Sequence, residues 1–177
     1  MIRFRAAIAD DIPALHALIE SAYRGESAKT GWTHEADLLG GQRTDPGVLA
    51  AIIADPAQTI LVAEDDGDRV ACVLVADRDG VGYLGLLTVR PARQRAGLGR
   101  RLLEEAERHA REAFGARRVA MTVIKQRREL IDWYLRRGYV ETGREEPFPL
   151  DDPRFGEPKT RELVFIVLEK ALHAGTG

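Results

Sequence analysis

Apolar and polar residues alternate along residues 2–8, which predicts a half-buried first strand. Asp10 or Asp11 is then expected to cap a helix that has Pro13 in its first turn. The polar stretch from 23 to 43 shows only weak periodicity, and so long a connection in a compact domain is usually functional or mobile. Thr44 and Asp45 precede Pro46, and this cap-then-proline order predicts a short helix over 48–54.

Three strands are predicted next, over 59–64, 69–77 and 81–89. The first two are joined by an Asp-Asp-Gly-Asp turn and the last two by an Asp-Gly turn, and both turns are typical of hairpins. An amphipathic helix follows over about 97–114, then a strand over 118–124 and a short helix over 129–137 that ends at Gly138. A proline-rich polar segment, 147–158, precedes a final strand over 163–171.

The amphipathic helix has the clearest two-sided pattern in the chain. On its solvent face we expect i,i+4 ion pairs between Glu104 and Arg108 and between Glu107 and Arg111. Its predicted core positions are Leu98, Leu102, Ala106, Ala110 and Ala113. Taken together, the elements predict one α/β domain over residues 1–172, with antiparallel hairpins first and a strand–helix–strand crossover in the second half. Residues 173–177 are expected to form a short flexible tail.

Composition narrows the class of protein. With 45% hydrophobic and 31% charged residues the chain can bury a core and still dissolve, and 26 basic against 28 acidic residues lack the basic excess of a nucleic-acid binder. The single cysteine, Cys72, excludes an internal disulfide framework and a cysteine-rich zinc site. No secretory signal is recognisable, and no apolar run approaches the roughly 20 residues of a membrane span. We therefore expect a cytoplasmic protein without a metal, nucleic acid or membrane as partner.

The loop between the strand 81–89 and the amphipathic helix holds the most chemical information. The first N–H groups of a helix have no intrahelical partner and, with the helix dipole, they bind anions. Gly97 and Gly99 would let an anion approach the backbone, and arginines concentrate positive charge here (Arg93, Arg95, Arg100 and Arg101). The loop lacks the Gly-Lys-Ser/Thr of a P-loop, and Leu102 occupies the third glycine position of the dinucleotide fingerprint. The pattern indicates a site for some other polyanion.

Residues 94–99, Gln-Arg-Ala-Gly-Leu-Gly, resemble the Q/R-x-x-G-x-G/A signature of the GNAT (Gcn5-related) N-acetyltransferase family. Residues 133–139, Trp-Tyr-Leu-Arg-Arg-Gly-Tyr, resemble a later motif of the same family, and the order of predicted elements is similar to its topology. The resemblance implies a mixed, mostly antiparallel central sheet flanked by helices, with acetyl-CoA as cosubstrate and no metal. It implies that the pantetheine arm and acetyl group are bound by the backbone of Leu87, Thr88 and Val89. The pyrophosphate would be contacted by Gln94, Arg95, Ala96, Gly97, Leu98, Gly99 and Arg100.

The resemblance also implies a reaction. An acetyl group would move to a primary amine of a small molecule or peptide by direct attack in a ternary complex. The N–H of Val89 would polarise the thioester carbonyl, and the hydroxyl of Tyr134 would protonate the departing thiolate. For Tyr134 the alternative is core packing, since Leu130 and Ile131 share its helix face. A non-catalytic acyl-CoA-binding module of the same fold is the alternative for the whole chain.

The sequence departs from the family pattern at two places. Arg127 stands where the family often has an asparagine, and residues 84–87 supply no carboxylate to take a proton from the amine. A proton acceptor would then come from elsewhere. His34, Glu35 and Asp37 in the long polar stretch and Glu64 at the end of a predicted strand are the options, and we take Glu35 as the candidate. The sequence does not identify the acceptor amine, and it leaves the oligomeric state open, with a homodimer as one option.

Overall fold

The computed structural model describes residues 1–23, 39–40, 44–91, 97–147, 157–158 and 164–173. Four helices are present in these ranges: α1 (Ile12–Tyr23), α2 (Pro46–Ala54), α3 (Leu98–Phe114) and α4 (Arg128–Leu135). The strands are β1 (Ile2–Ala6), β2 (Leu39–Gly40), β3 (Gln58–Asp65), β4 (Asp68–Arg78), β5 (Val81–Val89), β6 (Arg118–Ile124), β7 (Val140–Pro147), β8 (Glu157–Pro158) and β9 (Val164–Ala171).

Seven strands form the central sheet in the order β1-β3-β4-β5-β6-β9-β7, while β2 pairs with β8. Within the central sheet every pair is antiparallel except β5 with β6, which are connected through α3. This arrangement confirms the predicted fold class, including the strand–helix–strand crossover. In the described part of the chain, no helix is long and apolar enough to cross a membrane.

Local sequence signals account for the turns and for α2. Asp66 and Gly67 have φ values of +48° and +88°, and Asp79 and Gly80 have +53° and +83°, so both hairpin turns place their central residues in the left-handed region, as type I′ turns require. The Asp45 carboxylate accepts the Val48 N–H at 2.9 Å, which confirms the predicted cap, although α2 begins at Pro46 rather than at 48.

The sheet separates two hydrophobic clusters. Alternate residues of β4 point to opposite faces, so Ala71 and Val73 belong to the cluster under α3 and α4, whereas Cys72 and Leu74 belong to the one under α1 and α2. Leu15 and Leu49 anchor α1 and α2 in the second cluster. The face of α3 that packs on the first cluster is formed by Leu98, Leu102, Leu103, Ala106 and Ala110.

Both faces predicted for α3 are wrong in some positions. Ala113, predicted to lie in the core, is exposed. Glu107 is only 9% exposed, and its carboxylate accepts hydrogen bonds from the Tyr139 hydroxyl and the Lys170 ammonium, both at 2.9 Å. Glu104 pairs instead with Arg100 at 3.3 Å, and Arg108 pairs with Glu105. Spacing along one helix could not reveal that a lysine of β9 lies opposite Glu107.

The capping role expected at Asp10 or Asp11 takes a different form, because Asp11 closes a capping box in which its carboxylate accepts the N–H of Ile8. A 3₁₀ turn, Ala9–Asp11, precedes α1, and Asp11 is fully buried. Its carboxylate accepts hydrogen bonds at 2.8 Å from both terminal nitrogens of Arg5, from the Nε of Arg69 and from the Ile8 N–H. The hydrogen bonds from Arg5 are the main reason that the pKa of Asp11 lies well below its usual range. Asp11 therefore joins β1, β4 and the start of α1 through an ion-pair cluster.

Strand predictions failed where side chains are exposed. β1 ends at Ala6 rather than at 8, and Ile8 is 57% exposed. β7 was not predicted, because all but one of its residues are exposed and no apolar alternation marks it. Its backbone pairs with β9 at the edge of the sheet.

Candidate functional site

The central sheet opens between its only parallel strands. In the described residues the ladder between β5 and β6 runs from Val81↔Arg118 to Tyr83↔Ala120 and extends no further. A cavity of about 560 Å³ lies beyond it, with residues 84–87 of β5 on one side and 121–124 of β6 on the other. Leu130 of α4 and Val48 of α2 also line this cavity, although these helices lie on opposite faces of the sheet. We call this opening the slot.

A β-bulge shapes the β5 side of the slot. The pairing with β4 shifts between Cys72↔Thr88 and Leu74↔Gly85, which leaves Leu86 and Leu87 opposite Val73 alone. Leu86 has a φ of +52°, a conformation that costs a residue with a side chain of the order of 1–3 kcal/mol. The Leu86 carbonyl accepts the Thr88 hydroxyl at 2.7 Å, which helps to hold this conformation. Bulges re-aim neighbouring backbone and side chains, and this one lies directly at the slot.

The start of α3 has the geometry expected of an anion site. Gly97 is the N-cap residue with a φ of +75°, and no side chain of a described residue caps the helix. A Cβ atom on Gly97 would meet nothing within 4 Å, so the residue must be glycine for its conformation rather than for space. At Gly99 a Cβ would lie 3.6 Å from both Trp133 and Val89, an ordinary van der Waals distance, so packing among the described residues does not require glycine there.

Arginines gather in a second cavity, of about 330 Å³, beside the first turns of α3. Arg100, Arg136, Arg137 and Lys170 supply its positive charges. The Arg137 guanidinium lies 4.2 Å from the centre of the Trp133 ring, and burial, followed by the charges of Arg136 and Arg100, lowers its pKa. The two carboxylates that line this cavity already form ion pairs, Glu104 with Arg100 and Glu107 with Lys170. This cationic pocket is therefore suited to phosphate groups.

Tyr134 is packed in the core and also borders the slot. It is 5% exposed, and its ring packs edge-to-face against Trp133 at 5.1 Å and Tyr139 at 5.6 Å between ring centres. It also lines the slot together with Leu87. Cys72, in contrast, is fully buried, and burial raises its pKa to about 12, so the thiol is a poor nucleophile.

The other predicted site residues fall partly within and partly outside the described residues. Leu87 lines the slot, whereas Thr88 and Val89 are buried and are not among the residues that line it. Leu98 is buried in the core, and Arg100 lines the cationic pocket. Gln94, Arg95, Ala96 and Glu35 lie outside the described residues. The described residues contain no group of three or more His, Cys, Asp or Glu that could hold a metal ion.

Four polar residues of the slot were missed by sequence reasoning: Thr44, Arg78, Tyr83 and Thr122. Arg127, noted in the sequence as a departure from the family pattern, and the acidic Glu146 line it as well. They come from separate elements, and no motif or spacing connects them. The Tyr83 hydroxyl is 3.1 Å from Oγ1 of Thr122, so a hydrogen bond links β5 to β6 past the end of their ladder.

Comparisons with known proteins agree on one family. The sequence profile of the acetyltransferase (GNAT) family matches residues 14–139. The amino-acid acetyltransferase of Ralstonia nicotianae is 40% identical over 81 residues, which make up 45% of this chain but only 17% of that longer protein. Among solved structures, the ribosomal-protein-S18-alanine N-acetyltransferase of Escherichia coli superposes with a TM-score of 0.71 at 17% identity, covering 100% of this chain and 98% of the other. The yncA protein of Salmonella typhimurium, solved with its cofactor acetyl-CoA, gives 0.70 at 20% identity, with 100% and 97% covered.

Proposed function

Because the chain belongs to the acetyltransferase (GNAT) family, we propose that it moves the acetyl group of acetyl-CoA to a primary amine by direct attack while both substrates are bound. The acceptor would be a small molecule or a peptide. The slot is the observation that carries this proposal, since it passes between two strands and is lined from both faces of the sheet. A thioester that enters from the side of α3 and α4 and an amine that enters from the side of α1 and α2 would meet inside it.

The described residues fit the charge and shape of acetyl-CoA. Gly97 presents the positive end of α3, and the cationic pocket with Arg100 and Arg137 lies beside it. With the phosphates of acetyl-CoA bound there, the backbone of residues 87–89 would direct the thioester arm into the slot. When bound, acetyl-CoA supplies the activated acetyl group, and the protein supplies the groups that position and polarise it.

In the proposed reaction the amine nitrogen forms a bond to the thioester carbonyl carbon, and the carbon–sulfur bond breaks. The Val89 N–H would polarise the carbonyl, and the Tyr134 hydroxyl would give its proton to the departing sulfur. Holding both reactants in the orientation for attack accounts for much of the acceleration over the uncatalysed reaction. The amine must also lose a proton, and we propose Glu35 as its acceptor. Replacing Glu35 by glutamine should lower kcat/KM and leave CoA affinity unchanged; equal kcat/KM values would make Glu35 an ordinary solvated residue.

The direct test of the proposed function is amine-dependent release of CoA. The purified protein is incubated with acetyl-CoA and a panel of primary amines, free thiol is followed by absorbance, and the N-acetyl product is identified by mass spectrometry. We expect thiol release only when an amine is present, with an equal amount of product. Tight binding of acetyl-CoA in calorimetry without turnover of any amine would instead support a non-catalytic acyl-CoA-binding module.

A further inference from the structure

Arg78, an exposed residue at the end of β4, lines the slot and stacks on a neighbouring ring. Its central carbon lies 3.8 Å from the centre of the Tyr83 ring, and the hydrogen bond to Thr122 holds that ring in place. A guanidinium stacked on an aromatic ring keeps its N–H groups in a plane from which they can bind a carboxylate through two parallel bonds. Among the described residues, Arg78 forms no ion pair. The nearby Asp77 carboxylate accepts the Gly80 N–H at 3.2 Å instead.

Thr44 provides a second, independent indication of a polar ligand. It lines the same slot and is 5% exposed, yet its hydroxyl has no hydrogen-bond partner among the described residues. Its backbone N–H donates to Glu20 at 2.9 Å, which ties the residue to α1. Native proteins rarely bury a hydroxyl without a partner, so this one points to a polar atom of a bound molecule.

The other residues that line the slot near Arg78 and Thr44 indicate which further chemical groups the bound molecule carries. Val48 and Ile52 of α2 and Phe165 of β9 give the lining apolar surface. Two carboxylates, Asp45 and Glu146, also line the slot and would attract a cationic amine. The slot therefore offers positive, negative and apolar surface to one ligand, which is the complement of an amine that also carries a carboxylate.

We propose that the acceptor is an amino-carboxylic acid, such as a free α-amino acid, and that Arg78 is the residue that binds its carboxylate. The Thr44 hydroxyl bonds to a second polar atom of the same molecule. This inference rests on the proposed function, because it takes the slot as the place where the acceptor binds. It assigns Arg78 a role in substrate selection and none in bond making.

The experiment compares each amino acid with its own amide, which keeps the side chain and the amine nitrogen and replaces the carboxylate by a neutral group, at a pH where the amine of both is protonated to a known extent. kcat/KM is measured for such pairs with wild type, Arg78→Gln, Arg78→Lys and Thr44→Val. We expect wild type to prefer the acids by about 10- to 100-fold, the range of a charged hydrogen-bonded contact. Arg78→Gln should bring the acid-to-amide ratio close to one, and Arg78→Lys should restore it partly, since it keeps the charge without the planar fork.

Two further measurements separate binding from a merely structural effect. Thr44→Val should lower kcat/KM for the acids while leaving the melting temperature unchanged or raised, because it removes a hydroxyl that has no partner in the fold. Arg108→Gln, an exposed arginine on α3 that does not line the slot, is the matched control and should keep the wild-type ratio.

Several results would overturn the proposal. These are equal use of acids and amides by wild type, an equal loss for both in Arg78→Gln, or a ratio that disappears in Arg127→Gln but persists in Arg78→Gln. If no amine is turned over, the CoA-saturated protein is titrated calorimetrically with N-acetylamino acids and with their amides. Preference for the acids that depends on Arg78 would then uphold this inference while the proposed function fails, and equal binding would reject it.

Discussion

Replacing Tyr134 by phenylalanine removes one oxygen atom from the slot and leaves the packing of the ring in place. The edge-to-face contacts with Trp133 and Tyr139 do not involve the hydroxyl, and the residue is only 5% exposed. Loss of one ordinary hydrogen bond costs about 1 kcal/mol, which for a chain of this length lowers Tm by about 2–4 °C. CoA affinity should stay near the wild-type value.

The effect on kcat follows from the leaving group. A free thiol has a pKa of about 8.5, so a thiolate departs fairly easily near neutral pH and a proton donor helps without being indispensable. General acid catalysis typically raises the rate about 10²- to 10⁴-fold, and for a good leaving group the increase is at or just below the lower end of this range. We therefore expect kcat of Tyr134→Phe to fall about 10- to 100-fold, equivalent to about 1.4–2.7 kcal/mol of activation free energy.

Tyr139→Phe is the matched control. Its hydroxyl donates to Glu107 at 2.9 Å, and burial holds its pKa far above the usual value, so it stays a donor. Without it, the nearly buried Glu107 keeps only Lys170 of these two partners, which should cost about 1–3 kcal/mol of stability. Because Tyr139 does not line the slot, its kcat should not change.

The assay is single-turnover kinetics at saturating acetyl-CoA, combined with thermal melts and calorimetric CoA titration. The two variants should differ in opposite ways. Tyr134→Phe should be slow but stable, whereas Tyr139→Phe should be less stable but as fast as wild type. A wild-type rate for Tyr134→Phe would make Tyr134 a core residue, and its unfolding would make the hydroxyl structural. Either result refutes the general-acid role.

Three further predictions concern the anion site and the ion-pair cluster. Gly97→Ala should weaken CoA binding by more than about tenfold in calorimetry, or about 1.4 kcal/mol. Gly67→Ala, which brings similar strain at a φ of +88° in a hairpin turn, should leave affinity unchanged, and equal affinities for the two would contradict the anion site. Arg136→Gln should weaken CoA binding and reduce its salt dependence in titrations at two ionic strengths; an unaltered salt dependence would remove it from the phosphate contacts. Asp11→Asn should lower the free energy of unfolding by about 2–3 kcal/mol at pH 7. Because the folded-state pKa of Asp11 lies below its usual 3.8, this stabilisation is complete above about pH 5 and is lost as the pH falls through the folded-state pKa. Urea titrations of the two proteins should therefore give a difference that narrows steadily as the pH falls below about 5, and a difference that stays constant over that range would count against the cluster.

The sequence predicted elements well wherever one local pattern decides the structure. β5 occupies the predicted residues 81–89, because an Asp-Gly turn precedes it and Pro91 follows it. The helix α3 begins within a residue of its predicted start and ends at Phe114, since Gly115 adopts the expected left-handed C-cap conformation. Hairpin turns and helix caps act over a few neighbouring residues, and such signals can be read without the fold.

Predictions failed where partners come from distant parts of the chain. The roles of Asp11 and Glu107 depend on Arg69, 58 residues away, and on Lys170, 63 residues away. The slot itself depends on where one ladder ends and on a bulge at Leu86, neither of which leaves a pattern in the sequence. The glycine motif could therefore indicate an anion site, but nothing in the sequence indicated the residues around Arg78 that we propose to bind the acceptor.

The short ladder between β5 and β6 leaves the two sides of the sheet joined mainly by the core under α3 and α4 rather than by backbone pairing. One block of the sheet contains β1, β3, β4 and β5 and the other β6, β9 and β7, and three residue pairs join them within the sheet. A molecule in the slot contacts both blocks and so acts as a reversible cross-link. At 100 times its Kd such a ligand adds about 2.7 kcal/mol to the free energy of unfolding. If acetyl-CoA binds in the slot as proposed, resistance to proteolysis should rise with its concentration, which limited proteolysis at several acetyl-CoA concentrations would measure.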